Sequence, residues 1–137
     1  MAFLKRLFTP KPVLSTPALF ELLGTGMAEE RADAFNTFVA RLSTLDTTQR
    51  ERLANAAREA VDSAPDEVRG QAMFALAELG GDTVLLLKGL DDHDWFIRIV
   101  SVGALRRRNV RIPRETLERL RTDEEPLVQE AVADYPE

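Results

Sequence analysis

The chain has 137 residues, 45% hydrophobic and 30% charged, with a net charge of −5, so it is long enough for one ordinary core and lies away from disorder. It contains no cysteine, which excludes disulfides, thiolate metal ligands and a cysteine nucleophile and fits a cytoplasmic location. No apolar run approaches the roughly 18 residues of a membrane-spanning helix, and the overall acidity argues against a general nucleic-acid binder.

The first eight residues put Lys5 and Arg6 in the middle of a short apolar stretch, whereas a secretory signal carries its charge first. Two charges are also too few for a firm membrane anchor, so Phe3, Leu4, Leu7 and Phe8 are expected to dock on the chain itself or on another subunit. Pro10 and Pro12 break any helix, and residues 1–15 read as an arm and linker ahead of one domain over 16–137. Thr16-Pro17 opens a short helix, with Thr16 as its cap, and Gly24-Thr25-Gly26 stops it.

From Met27 to Leu45 the spacing of Phe35, Phe38, Val39, Leu42 and Leu45 predicts one helix with one buried face. Asp46 and Gln49 have the spacing of a capping box for the next helix, which buries Leu53, Ala56, Ala57, Ala60 and Val61. Pro65 opens a helix whose core face is Val68, Ala72, Ala75, Leu76 and Leu79 and which Gly80-Gly81 ends. Asp82 caps a short apolar helix to Leu90, and Asp91, Asp92 and Asp94 load negative charge at the start of the helix over residues 95–108. That helix buries Ile97, Ser101, Ala104 and Leu105; Pro113 and Glu125-Pro126 open the last two. The end, Asp134 to Glu137, reads as a polar cap or frayed tail. Strand alternation is absent, so the fold class is all-α.

The chain also repeats. Val68-Arg69 returns as Ile97-Arg98 and Ala75-Leu76 as Ala104-Leu105, both after 29 positions, and Val128-Gln129 with Ala131-Val132 forms a weaker third copy. A fixed period in this range marks stacked helical repeats. With Asp66-Glu67 ahead of Val68-Arg69, and Ala72 and Leu79-Gly80 after it, the unit resembles the HEAT-like repeats named after phycobilisome lyases. The resemblance covers Pro65 to about Val132. It implies a short right-handed α-solenoid of paired helices, and it implies no single activity, because such repeats occur in lyases, scaffolds, regulators and DNA-binding repair proteins.

Arg69 and Arg98 are expected to bond to acidic or carbonyl groups of an adjacent repeat, with an Asp94–Arg98 pair as an alternative for the second. The basic groups of residues 95–121 are all arginine, eight against two acids, while residues 122–137 carry six acids and no base. Arg106, Arg107, Arg108 and Arg111 form a candidate anion-binding patch that the acidic end could neutralise. Opposite the repeat core, Met73, Phe74, Trp95, Ile99 and Val102 are more apolar than a solvated helix face should be, which makes them candidate partner-binding residues. His93 stands in an acidic turn without metal-ligand spacing, and no phosphate loop, nucleophile elbow, paired catalytic carboxylates or His-Glu iron site of the HEAT-repeat hydroxylases can be placed.

The expectation is therefore a non-catalytic protein-binding or adaptor module without metal or cofactor. It would use the apolar face, with the arginines steering an acidic partner, and a homodimer through that face or the arm is possible. The alternatives are nucleic-acid or phosphate binding through Arg106 to Arg121, and an accessory subunit of a tetrapyrrole lyase.

Overall fold

A computed structural model describes residues 13–137, so the expected docking of the arm up to Phe8 lies outside the described residues. Eight α-helices follow in order: α1 Thr16–Thr25, α2 Ala28–Ala40, α3 Thr47–Ser63, α4 Asp66–Leu79, α5 Thr83–Gly89, α6 Trp95–Arg107, α7 Arg114–Arg121 and α8 Pro126–Val132. A 3-10 turn, Leu42–Thr44, lies between α2 and α3, and there is no strand among the described residues.

Most helix boundaries follow local chemistry. The Asp46 carboxylate accepts the Gln49 N–H at 2.7 Å and the Gln49 side chain accepts the Asp46 N–H at 3.0 Å, which closes the expected capping box. Gly80 ends α4 at φ +91°, a conformation that side-chain-bearing residues rarely adopt.

Three expectations need correction. Ser15, not Thr16, caps α1, because its hydroxyl receives the Ala18 N–H and Pro17 occupies the second helical position. The helix predicted from Met27 to Leu45 breaks at Arg41, whose guanidinium reaches back to the Leu14 carbonyl at 2.5 Å; the break still delivers Leu45 into the core. Asp82 makes no cap bond, because its carboxylate accepts Arg58 Nε at 2.7 Å while its own backbone sits at φ +61°.

One continuous apolar cluster runs from Leu19 to Tyr135. Each of α3, α5 and α7 packs on the helix that follows it, and α4, α6 and α8 pack on one another in sequence; α2 adds to α4, and α1 to α2. The buried faces of α3 and α4 are rich in alanine (Ala54, Ala57 and Ala60 on α3; Ala72, Ala75 and Ala77 on α4), which lets these two helices make the most extensive contact among the described helices. Ala54 takes the buried place expected of Ala56.

Two close approaches define the contacts along the row. Gly70 of α4 leaves room for the Phe96 ring of α6: a Cβ there would lie 2.8 Å from Phe96 Cδ1. At Gly89 of α5, a Cβ would stand 2.2 Å from Ser101 Oγ and 3.3 Å from the Met73 terminal methyl. Ser101 is fully buried and its hydroxyl has no hydrogen-bond partner.

The tail is anchored rather than frayed. Tyr135 is 4% exposed and donates its hydroxyl to the Val110 carbonyl at 2.6 Å, so a polar-looking end carries a core residue.

These contacts set opposite outcomes for two small substitutions in urea unfolding. Ser101→Ala removes an unsatisfied buried hydroxyl and is expected to raise stability by roughly 1 kcal/mol. Gly89→Ala is expected to cost about 1–3 kcal/mol through overpacking, and less in the Ser101→Ala background. Strictly additive values would show that the two positions do not meet.

Candidate protein-docking surface

Two arginines join successive units of the sequence repeat in the same way. Arg69 of α4 pairs through both terminal nitrogens with Asp92 ahead of α6, and its Nε donates to the Val61 carbonyl at 3.0 Å. Arg98 of α6 reaches Asp123 ahead of α8 at 2.9 Å and donates to the Asp92 and His93 carbonyls at 2.8 and 3.1 Å. Asp92 and Asp123 also hold the turns they stand in, accepting the Asp94 and Glu125 N–H groups, each at 2.9 Å. Asp94 does not pair with Arg98; its carboxylate caps α6 by accepting the Phe96 N–H.

The candidate partner-binding residues divide into two groups. Met73 and Val102 are each 1% exposed and belong to the core, so at these two positions the chain's own packing, and not a partner, covers the apolar face. The physical reason is that α4 and α6 have neighbours on several sides, and a helix that is apolar around most of its circumference is a buried one. Phe74, Ile99 and Phe96 are half-buried, and Trp95 remains 42% exposed, with its ring edge-on to Phe96 at 6.1 Å between centroids.

Trp95, Phe96, Ile99, Val102 and Gly103 of α6 and Leu127 and Ala131 of α8 line one open, mostly apolar groove, with Arg106, Glu130 and Asp134 on its rim. Phe74 does not line it. Leu127, 50% exposed, was not among the candidates read from the sequence. The signal for it is the match of Asp92-His-Asp94-Trp-Phe96 with Asp123-Glu-Glu125-Pro-Leu127, which puts Leu127 at the position of Phe96 one unit on. Phe96 rests on Gly70 and is half-buried, whereas Leu127 lies half-exposed along the groove.

The arginine patch is largely consumed inside the chain. Arg106 pairs with Asp134 at 3.0 Å, donates to the Ala131 carbonyl at 2.6 Å and lies over the Tyr135 ring. Arg107 reaches Glu78 of α4 at 3.2 Å, a residue 29 positions earlier. Arg108 donates to the carbonyls of Ala77 and Gly81 at 3.0 and 2.6 Å, satisfying the C-terminal end of α4. Beyond them, Arg114 pairs with Glu118, Arg119 with Asp91 and Arg121 with Glu137. Of the four candidate anion-binding residues, only Arg111 is without a hydrogen bond or ion pair among the described residues.

The same pairings displace the carboxylates from their ordinary behaviour. Arg106 holds the Asp134 carboxyl below the usual range, and Arg121 does so for Glu137. Asp66 is lowered by its hydrogen bond from His93 and next by that from Arg69. Burial pushes the Tyr135 phenol up, against a smaller opposing effect of Arg106. Among the described residues no group of three His, Asp or Glu side chains converges to hold a metal ion, and no helix is long and apolar enough to cross a membrane.

Compared with family models, with curated proteins and with solved structures, the chain finds no match.

The two kinds of arginine should separate on substitution. Arg98→Ala leaves Asp123 buried without its partner and is expected to cost about 3–5 kcal/mol in chemical denaturation, whereas exposed Arg107→Ala should cost no more than about 1 kcal/mol. Acid should act through the lowered carboxylates: their contribution is complete above their unfolded value of about 4 and is lost as pH falls through the lower folded value. The urea midpoint is therefore expected to drop below about pH 4, with a shallower drop in Asp66→Asn; identical profiles would remove Asp66 from this role.

Proposed function

We propose that this chain is a non-catalytic protein-binding module, a short right-handed α-solenoid of HEAT-like helix pairs that receives a partner segment in the groove between α6 and α8. The observation that supports this most directly is the groove itself: Trp95 and Leu127 are exposed beside half-buried Phe96, Ile99 and Ala131, outside the packed core. A large aromatic at the mouth of an apolar groove is the usual composition of a binding hot spot. The solenoid reading is supported by the order of helix contacts and by the two arginine pairs that join each unit to the next.

The chemistry of the rim favours one kind of partner. Glu130, Asp134 and Arg106 border the groove, and because Arg106 and Asp134 pair with each other, Glu130 is left as the net charge of the rim. A segment with apolar anchors and a basic flank satisfies both features, so the steering charge is acidic on this chain rather than the arginine patch. Nucleic-acid binding has little left to use, since the arginines that would meet phosphate, Arg111 excepted, already have partners.

Trp95 is the sole tryptophan and reports directly on its own groove. Titration with amphipathic peptides is expected to shift its emission to shorter wavelength for basic-flanked sequences and not for acidic ones, and Leu127→Glu should abolish the shift while leaving the helical spectrum intact. A shift that persists in Leu127→Glu, or that appears only with oligonucleotides and weakens steeply with salt, would sink the proposal.

A further inference from the structure

A second apolar groove lies between α1 and α2. Val13, Leu14, Leu19, Leu22, Ala34 and Thr37 line it, and Glu30, Asp33 and Arg41 border it. Val13 is 89% exposed and Leu14 and Leu22 are half-buried. The chain enters the described structure here, and Arg41 pins that entry by binding the Leu14 carbonyl at 2.5 Å.

We propose that this groove is the seat of the chain's own amino-terminal segment, with Phe3, Leu4, Leu7 and Phe8 against the apolar floor and Lys5 and Arg6 toward Glu30 and Asp33. Three features select that occupant. Reach is the first: five residue steps from Phe8 to Val13 span at most about 17 Å, so the groove lies within reach of the segment's near end. Pattern is the second, because Phe3, Leu4, Leu7 and Phe8 recur at one- and three-residue spacing and Lys5-Arg6 fall between them, which separates an apolar from a basic side. Charge is the third: a segment whose first eleven residues carry Lys5, Arg6 and Lys11 and no acid meets a rim with two carboxylates against one guanidinium, that of Arg41, which is directed at the Leu14 carbonyl.

Tethering favours the same chain over a second copy. A segment held within about 17 Å of its site experiences an effective concentration in the millimolar range, far above that of another molecule in dilute solution. Seating it would cover Leu14 and Leu22 as α4 covers the inner side of α2, and would close the apolar end of the helix row.

The absence of cysteine makes the test clean. The 137-residue chain carrying Leu7→Cys with Thr37→Cys is oxidised at low micromolar concentration beside a control carrying Leu7→Cys with Lys88→Cys on α5. The Thr37 pair is expected to form an intramolecular disulfide at least roughly tenfold faster than the control, as a local concentration advantage requires. Adding Leu22→Asp to the Thr37 pair should remove that advantage without altering the helical spectrum. Equal rates for the two pairs, or disulfide-linked dimers as the main product of the Thr37 pair, would overturn the proposal. None of these outcomes depends on whether the α6–α8 groove binds a partner.

Discussion

The structure depends on a charged grip between successive units. Arg69 and Arg98 each leave the start of one helix, cross to the aspartate that opens the turn before the next helix of the row, and find Asp92 and Asp123 there. Each pair is largely withdrawn from water, and each aspartate also accepts a backbone N–H of its own turn. One side chain thus fixes the turn and its distance from the preceding helix together. Apolar packing supplies most of the driving force, at roughly 1.5–3 kcal/mol for each fully buried large side chain, but it is non-directional. The ion pairs are directional, and each ties a turn to the helix before it at a defined point.

That repeated grip explains where an open groove is left. Between α4 and α6, the first position of the α6 turn is filled by Phe96, which lies on Gly70 because glycine alone leaves the room. One unit on, Leu127 replaces Phe96 and Ile99 stands where Gly70 stood, so a smaller side chain meets a larger one. The same grip with poorer filling leaves Trp95, Ile99 and Leu127 partly open at the α6–α8 junction. An open groove in this chain therefore needs no separate architecture, only an imperfect repeat.

Much of the local structure was legible in advance. The capping box at Asp46, the Gly80 stop and the forward-reaching arginines follow from side-chain chemistry acting over a few residues or from the 29-residue period. The open groove is only partly legible in the sequence. Trp95 and Ile99 line it, Val102 is buried at its floor, Met73 lies in the core, and Leu127 is not among the candidate residues. Helical periodicity says which residues share a face, but it does not say how many faces of a mid-row helix are covered.

By itself the sequence determined that the chain is helical, where most helices begin and end, and that a unit containing a gripping arginine recurs. Those properties arise from contacts within a turn or between copies of one pattern. Only the tertiary structure decided which apolar residues stay open and which charges stay free. Arg106, Arg107 and Arg108 look like a patch in a row of letters, but Asp134, Glu78 and the carbonyl end of α4 take them up from distant parts of the chain. Tyr135 looks like part of a polar tail and is buried because Val110 receives its hydroxyl. Exposure and charge balance are sums over neighbours, and the chain acquires those neighbours only when it folds.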